Sequence, residues 1–188
     1  MDNLLIVNLV VLWTLVLINL LVTLAIVRRI NTESNNSQEE LELLKKGEVA
    51  PEFTAKTLQG DIVTLRNYIG RSVAFLFMTP TCSMCRDTLY TYQTKYSKAK
   101  QKGVELVLVS GVDESATRTF VDEYNITSLP VLVDPEPSLV HPFGENSFFK
   151  DYNVSSVPSY CLINSKGEIQ SSGHPSLDGG KWDKLVVA

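Results

Sequence analysis

Residues 72–96 read SVAFLFMTPTCSMCRDTLYTYQTKY, and the change of pattern within them decides the fold. Ser72–Met78 is an apolar run after its first residue, as a strand covered on both faces requires. Thr79-Pro80-Thr81 ends that run. From Cys82 the periodicity becomes helical, because Cys85, Leu89, Tyr92 and Tyr96 recur at helical intervals. Lys100-Gln101-Lys102-Gly103 supplies basic residues and a glycine stop for that helix. The pair Cys82-Ser83-Met84-Cys85 therefore lies where a buried strand gives way to the first turn of a helix.

That placement has chemical consequences. A helix start presents unpaired N–H groups and the positive end of the helix dipole. Both favour a thiolate at Cys82, which is the nucleophilic form of cysteine. Arg86 adds a positive charge beside it, and Cys85, one turn further in, is better shielded and suited to resolving a mixed disulfide. Other uses of paired cysteines fit less well. A structural zinc site needs a second ligand pair, and Cys161, His141 and His174 have no paired spacing. A c-type haem site needs histidine where Arg86 stands. A peroxidatic thiol of the peroxiredoxin kind needs a proline and a threonine upstream, whereas counting back from Cys82 gives Thr79 but Phe75. No metal or other cofactor is expected.

Working outward, Pro51–Leu58 and Ile62–Tyr68 read as a hairpin around Gln59-Gly60-Asp61. Val104–Ser110 is a second buried strand, residues 114–125 a helix and Leu129–Asp134 a strand. A loop with Pro135, Pro137, Pro142 and Gly144 leads to a short helical candidate, Asn146–Tyr152. Ser159–Asn164 and Glu168–Ser172 are strands joined by Ser165-Lys166-Gly167, and Leu177–Val187 is a closing helix. Alternation of strands and helices predicts an α/β domain with a largely parallel sheet covered on both sides, and hairpins at its margins. Cys161 falls in an apolar strand and is expected to be an inert core thiol. His141 and His174 fall in predicted loops, where a surface or turn role is the default.

At the other end of the chain, Asn3–Val27 holds 20 apolar residues out of 25 and no charge. As a helix it would be about 37 Å long, against about 30 Å of hydrocarbon. A cleaved signal peptide would need a basic start and a small-residue cleavage site, but the chain opens Met1-Asp2 and the run ends at Val27-Arg28-Arg29. Residues 1–30 are thus expected to be an uncleaved membrane anchor, 31–47 a polar linker and 48–188 the folded domain. Ser37 with Glu40 is a capping-box signal for a short helix in the linker, with Gly47 as its stop. Arg28 and Arg29 by themselves place the domain in the cytoplasm. The net charge of −4 without a basic block argues against nucleic acid. Three cysteines cannot build the disulfide framework of a small secreted domain.

Tyr152–Pro158 (YNVSSVP) immediately precedes the strand at Ser159. A proline there can simply mark a strand entry. Together with an upstream CxxC, it suggests the cis-proline that faces the disulfide in thioredoxin-like folds. The N–H and C=O of Val157 would then be free to pair with an extended substrate segment.

Two stretches carry a resemblance. GEVAPEFTAKTLQGDIVTLRNYIGRSVAFLFMTPTCSMCR (47–86) resembles the opening of the TlpA/ResA-type thioredoxin-like proteins, and VSSVPSYCLINSKGEI (154–169) resembles their cis-proline, strand and turn. Within that group the chain is most similar to the MauD proteins, accessory proteins of methylamine utilisation with an apolar anchor, a basic step and a TPTC-like approach to CxxC. The resemblance spans about residues 4–30 and 47–175. It implies a thioredoxin-like three-layer α/β/α sandwich with an N-terminal β-hairpin extension, preceded by one transmembrane helix. It also implies a thiol–disulfide oxidoreductase outside the cytoplasmic membrane, against the vote of the two arginines. Cys82 would be the attacking thiol, Cys85 the resolving thiol and Pro158 the cis-proline, with Thr81 and Val157 beside the substrate. Partners would be protein thiols or disulfides and a transmembrane thiol-relay or disulfide-generating protein. Two positions depart from thioredoxin: Thr81 stands where it has tryptophan, and Leu76 where it has a buried aspartate. The competing readings are a Cu(I)-binding chaperone module, which commonly uses CxxxC with a distant histidine, and a redox-inactive docking domain.

Overall fold

The computed structural model describes residues 2–40, 44–134 and 147–175, together with 177, 180, 182 and 184. The chain divides into two units, Met1–Glu40 and Leu41–Ala188. The first is a single helix, α1 (Asp2–Glu40). Within it Ile6–Arg28 is long and apolar enough to cross a membrane, and none of that stretch is buried. The helix runs on through Ser37, so the capping-box signal does not start a new helix there. Backbone bonds continue because nothing between Arg28 and Glu40 breaks them: no proline or glycine occurs.

The second unit is built on a mixed sheet. Its strands are β1 (Thr54–Thr57), β2 (Ile62–Thr64), β3 (Ser72–Met78), β4 (Val104–Ser110), β5 (Val131–Val133), β6 (Ser159–Ile163) and β7 (Ile169–Gly173). Their order across the sheet is β2-β1-β5-β4-β3-β6-β7. Among the described residues only β3–β4 and β4–β5 pair in parallel, while β1–β2, β1–β5, β3–β6 and β6–β7 are antiparallel. The expectation of a largely parallel sheet is corrected accordingly. Strand–helix alternation does not oblige a return to the same end of the sheet, and β6 enters from the end where β3 leaves. The hairpin forms, but its second strand stops at Thr64. Leu65–Tyr68 turns into a 3-10 helix, with the Asn67 side chain accepting from the Thr64 N–H at 2.8 Å.

The continuous apolar run of β3 sorts by alternation once it is in the sheet. Ala74, Leu76 and Met78 face α2 (Ser83–Gln101) and α3 (Glu114–Glu123), where Cys85, Leu89, Tyr92 and Phe120 pack with Trp182. Val73, Phe75 and Phe77 face the opposite layer, with Phe53, Tyr68 and α4 (Ser147–Asp151). The second layer is aromatic: Phe53 and Phe148 stack with centroids 3.9 Å apart, and Phe75 meets both edge-on. These layers give an α/β/α arrangement, with the helix carrying both cysteines seated on one face of β3. The Pro135–Gly144 loop and His141 lie outside the described residues, as does most of the expected closing helix, of which Trp182 and Lys184 are helical.

The outer edge of β7 is covered by the chain that opens this unit. The Ser172 hydroxyl accepts from the Leu44 N–H at 2.9 Å and donates to its carbonyl at 2.8 Å. Gly47 N–H donates to Ile169 O, Ile169 N–H to Glu48 O, and Ala50 N–H to Gly167 O, each at 2.8 Å. Backbone groups that an edge strand would leave open are thereby paired. His174, expected in a surface or turn role, does sit in a turn, its carbonyl accepting the Leu177 N–H at 3.0 Å, but it is only 7% exposed and so is not a surface residue. It directly follows β7, whose last residue, Gly173, is still paired with Tyr160 of β6.

Candidate active site

Three chain segments meet where β3 ends. The first is Thr79-Pro80-Thr81, which leaves the sheet and turns into α2. The Thr79 carbonyl accepts the Cys82 N–H at 3.3 Å, which fixes the turn. Cys82 is then the N-cap of α2, with φ −86° and ψ 113°, and its Sγ accepts the N–H of Cys85 at 3.2 Å. N-cap positions usually carry an oxygen that satisfies such an amide. Here a sulfur does so.

The second segment reaches the site from far along the chain. The Val157–Pro158 peptide bond is cis. The Cys82 thiol donates to the Val157 carbonyl, Sγ to O, at 3.6 Å. The pairing of β6 with β3 sets this meeting, since Ser159 lies opposite Phe77 and leaves Pro158 and Val157 beside the strand's end. Val157 is half-buried and Pro158 buried. Ser159 Oγ donates to the Ser156 carbonyl at 2.7 Å and braces the loop from behind.

Exposure separates the two thiols. Cys82 is half-buried and Cys85 0% exposed, and both are free. Cys85 sits in the apolar layer with Leu76, Met78 and Leu89. Burial pushes its thiol well above the ordinary cysteine value, and the hydrogen bond with Cys82 adds to that, while a main-chain hydrogen bond from Thr79 acts the other way. Leu76, at the position of thioredoxin's buried aspartate, is fully buried and leaves this pocket without that carboxylate. Thr81 and Met84 are exposed around the Cys82 sulfur, Met84 at 49%, and Arg86 is exposed as well.

The arrangement brings together Thr81, Cys82, Cys85, Val157 and Pro158, and it keeps Cys161 apart. Cys161 lies on β6 opposite Phe75, in the aromatic layer across the sheet from Cys85. It is 0% exposed, and burial alone pushes its thiol far up. Thr79 is a participant that sequence reasoning missed. Its contribution runs through main-chain atoms and a buried methyl, which leave no mark in periodicity or motif spacing.

The family model described as AhpC/TSA matches residues 46–172. Among curated relatives, the thiol-disulfide oxidoreductase ResA of Halalkalibacterium halodurans is 28% identical over 128 residues, covering 68% of this chain and 67% of the relative. The thioredoxin-like protein YneN of Bacillus subtilis is 30% identical over 131 residues, covering 68% and 70%. Among solved structures, the thioredoxin domain of a thiol-disulfide oxidoreductase from Bacteroides vulgatus superposes with a TM-score of 0.61 at 23% identity, over 76% of this chain and 99% of that one. The fold is thus thioredoxin-like.

Proposed function

The chain belongs to the AhpC/TSA family, in its thioredoxin-like part, and on that premise we propose that it is a thiol–disulfide oxidoreductase acting on protein partners through Cys82 and Cys85. The carrying observation is the Cys82 sulfur, half-exposed at the N-cap of α2, held by the Cys85 N–H and facing the Val157 carbonyl. The relatives named thiol-disulfide oxidoreductases support the same chemistry.

In the reducing direction the Cys82 thiolate attacks one sulfur of a partner disulfide. The Cys82–partner S–S bond forms, the partner's S–S bond breaks, and the second partner sulfur leaves as a thiolate and takes a proton. Cys85 then loses its proton and attacks Cys82 Sγ, closing the Cys82–Cys85 disulfide and releasing the first partner sulfur as a thiolate. Two electrons pass to the partner. The reverse sequence oxidises a partner dithiol. The direction follows from the reduction potential of the pair against that of its compartment. Val157 and Thr81 line the approach, with the Val157 main chain positioned to pair with an extended partner segment and Pro158 shaping that wall.

We assign Ile6–Arg28 the role of a membrane anchor and the folded unit the extracytoplasmic side. A reductase there draws electrons from a transmembrane thiol-relay partner, whereas an oxidase relies on a disulfide-generating one. The MauD-like reading belongs to the same proposal and rests on the apolar start, Arg28-Arg29 and Thr79-Pro80-Thr81-Cys82.

Replacing Cys85 by alanine tests the chemistry. The Cys85→Ala chain should accumulate partner-linked species that thiol reductant releases on a non-reducing gel. The Cys82→Ser/Cys85→Ala chain should accumulate none. Equal amounts from both variants would refute the assignment of Cys82 as the attacking thiol.

A further inference from the structure

Among the described glycines, 47, 60, 70, 103, 167, 173 and 180 have positive φ, a conformation that by itself calls for glycine. Gly111 does not, so its requirement must come from space. It directly follows β4, and its N–H donates to the Met78 carbonyl at 3.0 Å, joining the ends of β4 and β3. A Cβ there would stand 3.0 Å from Thr79 Cγ2, 3.0 Å from Phe149 Cζ and 3.1 Å from Phe149 Cε1. The Thr79 methyl and the Phe149 ring occupy the room that a side chain would need.

Thr79 is the residue whose main chain holds the turn that leads into the thiol pair. Its carbonyl accepts the Cys82 N–H at 3.3 Å, and its main chain acts on the Cys85 thiol against the upward push of burial. The residue is 2% exposed, and its hydroxyl makes a long contact of 3.4 Å with Thr81 Oγ1. The tightly seated part of the side chain is therefore the methyl. We infer that Gly111 is a positioning residue for the thiol pair, acting through Thr79: with Phe149 it fixes where the Thr79 methyl lies, and so where the Thr79 main chain meets Cys82 and Cys85. The inference rests on the reading of Cys82 and Cys85 as the reacting pair. A close-packed contact transmits a small displacement instead of absorbing it. Sulfur reactivity and disulfide stability both respond to how the groups around the sulfurs are placed.

The test uses the full chain in detergent micelles and two readouts. One is the equilibrium constant of the Cys82–Cys85 disulfide against a glutathione buffer. The other is the pH profile of Cys82 alkylation by iodoacetamide. Gly111→Ala should change the equilibrium constant and the neutral-pH alkylation rate by about threefold or more, and adding Thr79→Ser, which removes the displaced methyl, should return both to within about twofold of wild type. Thr79→Val keeps the methyl and should stay within about twofold. The inference is overturned if Gly111→Ala leaves both readouts at wild-type values, or if Thr79→Ser adds to its effect. Should Gly111→Ala fail to fold, the single variants decide. A shift in Thr79→Ser with none in Thr79→Val supports the inference, and the reverse order assigns the role to the hydroxyl and overturns it. A wild-type chain that forms no disulfide with glutathione would instead overturn the functional reading, and this inference with it.

Discussion

Cys82, Cys85 and Cys161 are chemically identical in the unfolded chain and differ only in what the fold puts around them. The Cys82 sulfur has an amide donor and an opening to solvent. Cys85 and Cys161 have apolar walls, and their thiols are held in the protonated form by burial. This difference has a sign in the pH dependence of stability. Below the ordinary cysteine value of 9.0, folded and unfolded chains both keep the Cys161 proton, and the group contributes nothing to the slope. Above it the unfolded chain releases that proton while the folded chain retains it. The folded state then binds more protons, and stability falls as pH rises towards the folded value. Cys85 acts in the same direction, as does Tyr68, whose hydroxyl is pushed up to about 12 mainly by burial. Cys161→Ala should therefore flatten the alkaline loss by up to about 1.4 kcal/mol per pH unit above pH 9. Urea unfolding of the reduced chain between pH 8 and 10.5 measures it, and an unchanged slope would contradict the buried position of Cys161.

At the scale of elements, two strands hold the wall opposite Cys82, and each depends on its neighbour. β6 directly follows Val157 and Pro158, pairs with β3 on one side, and rests against β7 on the other. β7 in turn is capped by residues 44–50, so the chain entering this unit closes the sheet that presents the site. The Ser172 hydroxyl serves Leu44 as both donor and acceptor, a role that backbone would fill in a longer strand. Ser172→Ala removes both bonds and should cost about 1–3 kcal/mol, given about 0.5–1.5 kcal/mol for each net hydrogen bond. Hydrogen exchange should report the loss locally, as faster exchange at the Leu44 amide with β3 and β4 amides little changed. If global unfolding accelerated all these amides equally, the segment would be integral to the core and not a strap on its edge.

At the scale of the whole molecule, the apolar helix and the folded unit have separate sequence logics. Ile6–Arg28 is apolar on all sides and unburied, which suits a lipid environment. The full chain is expected to stay with membranes through an alkaline carbonate wash, and a chain lacking residues 1–30 to appear in the soluble fraction. Protease added outside spheroplasts should digest the redox unit, and protection there would place it in the cytoplasm, as Arg28 and Arg29 alone would have it. The sequence by itself determined β3, the helix that follows it, the cysteine spacing, the apolar span and the proline before β6. Each of these is written in local periodicity or in residues a few positions apart. Tertiary structure alone decided that the Val157 carbonyl meets Cys82, that Cys161 lies across the sheet, that His174 is buried, and that β1–β2, β1–β5, β3–β6 and β6–β7 run antiparallel. Those outcomes depend on strand order and register between segments far apart in the chain. Gly111 shows the same limit, because a glycine past a strand reads as a turn until Thr79 and Phe149 are seen to fill the space beside it.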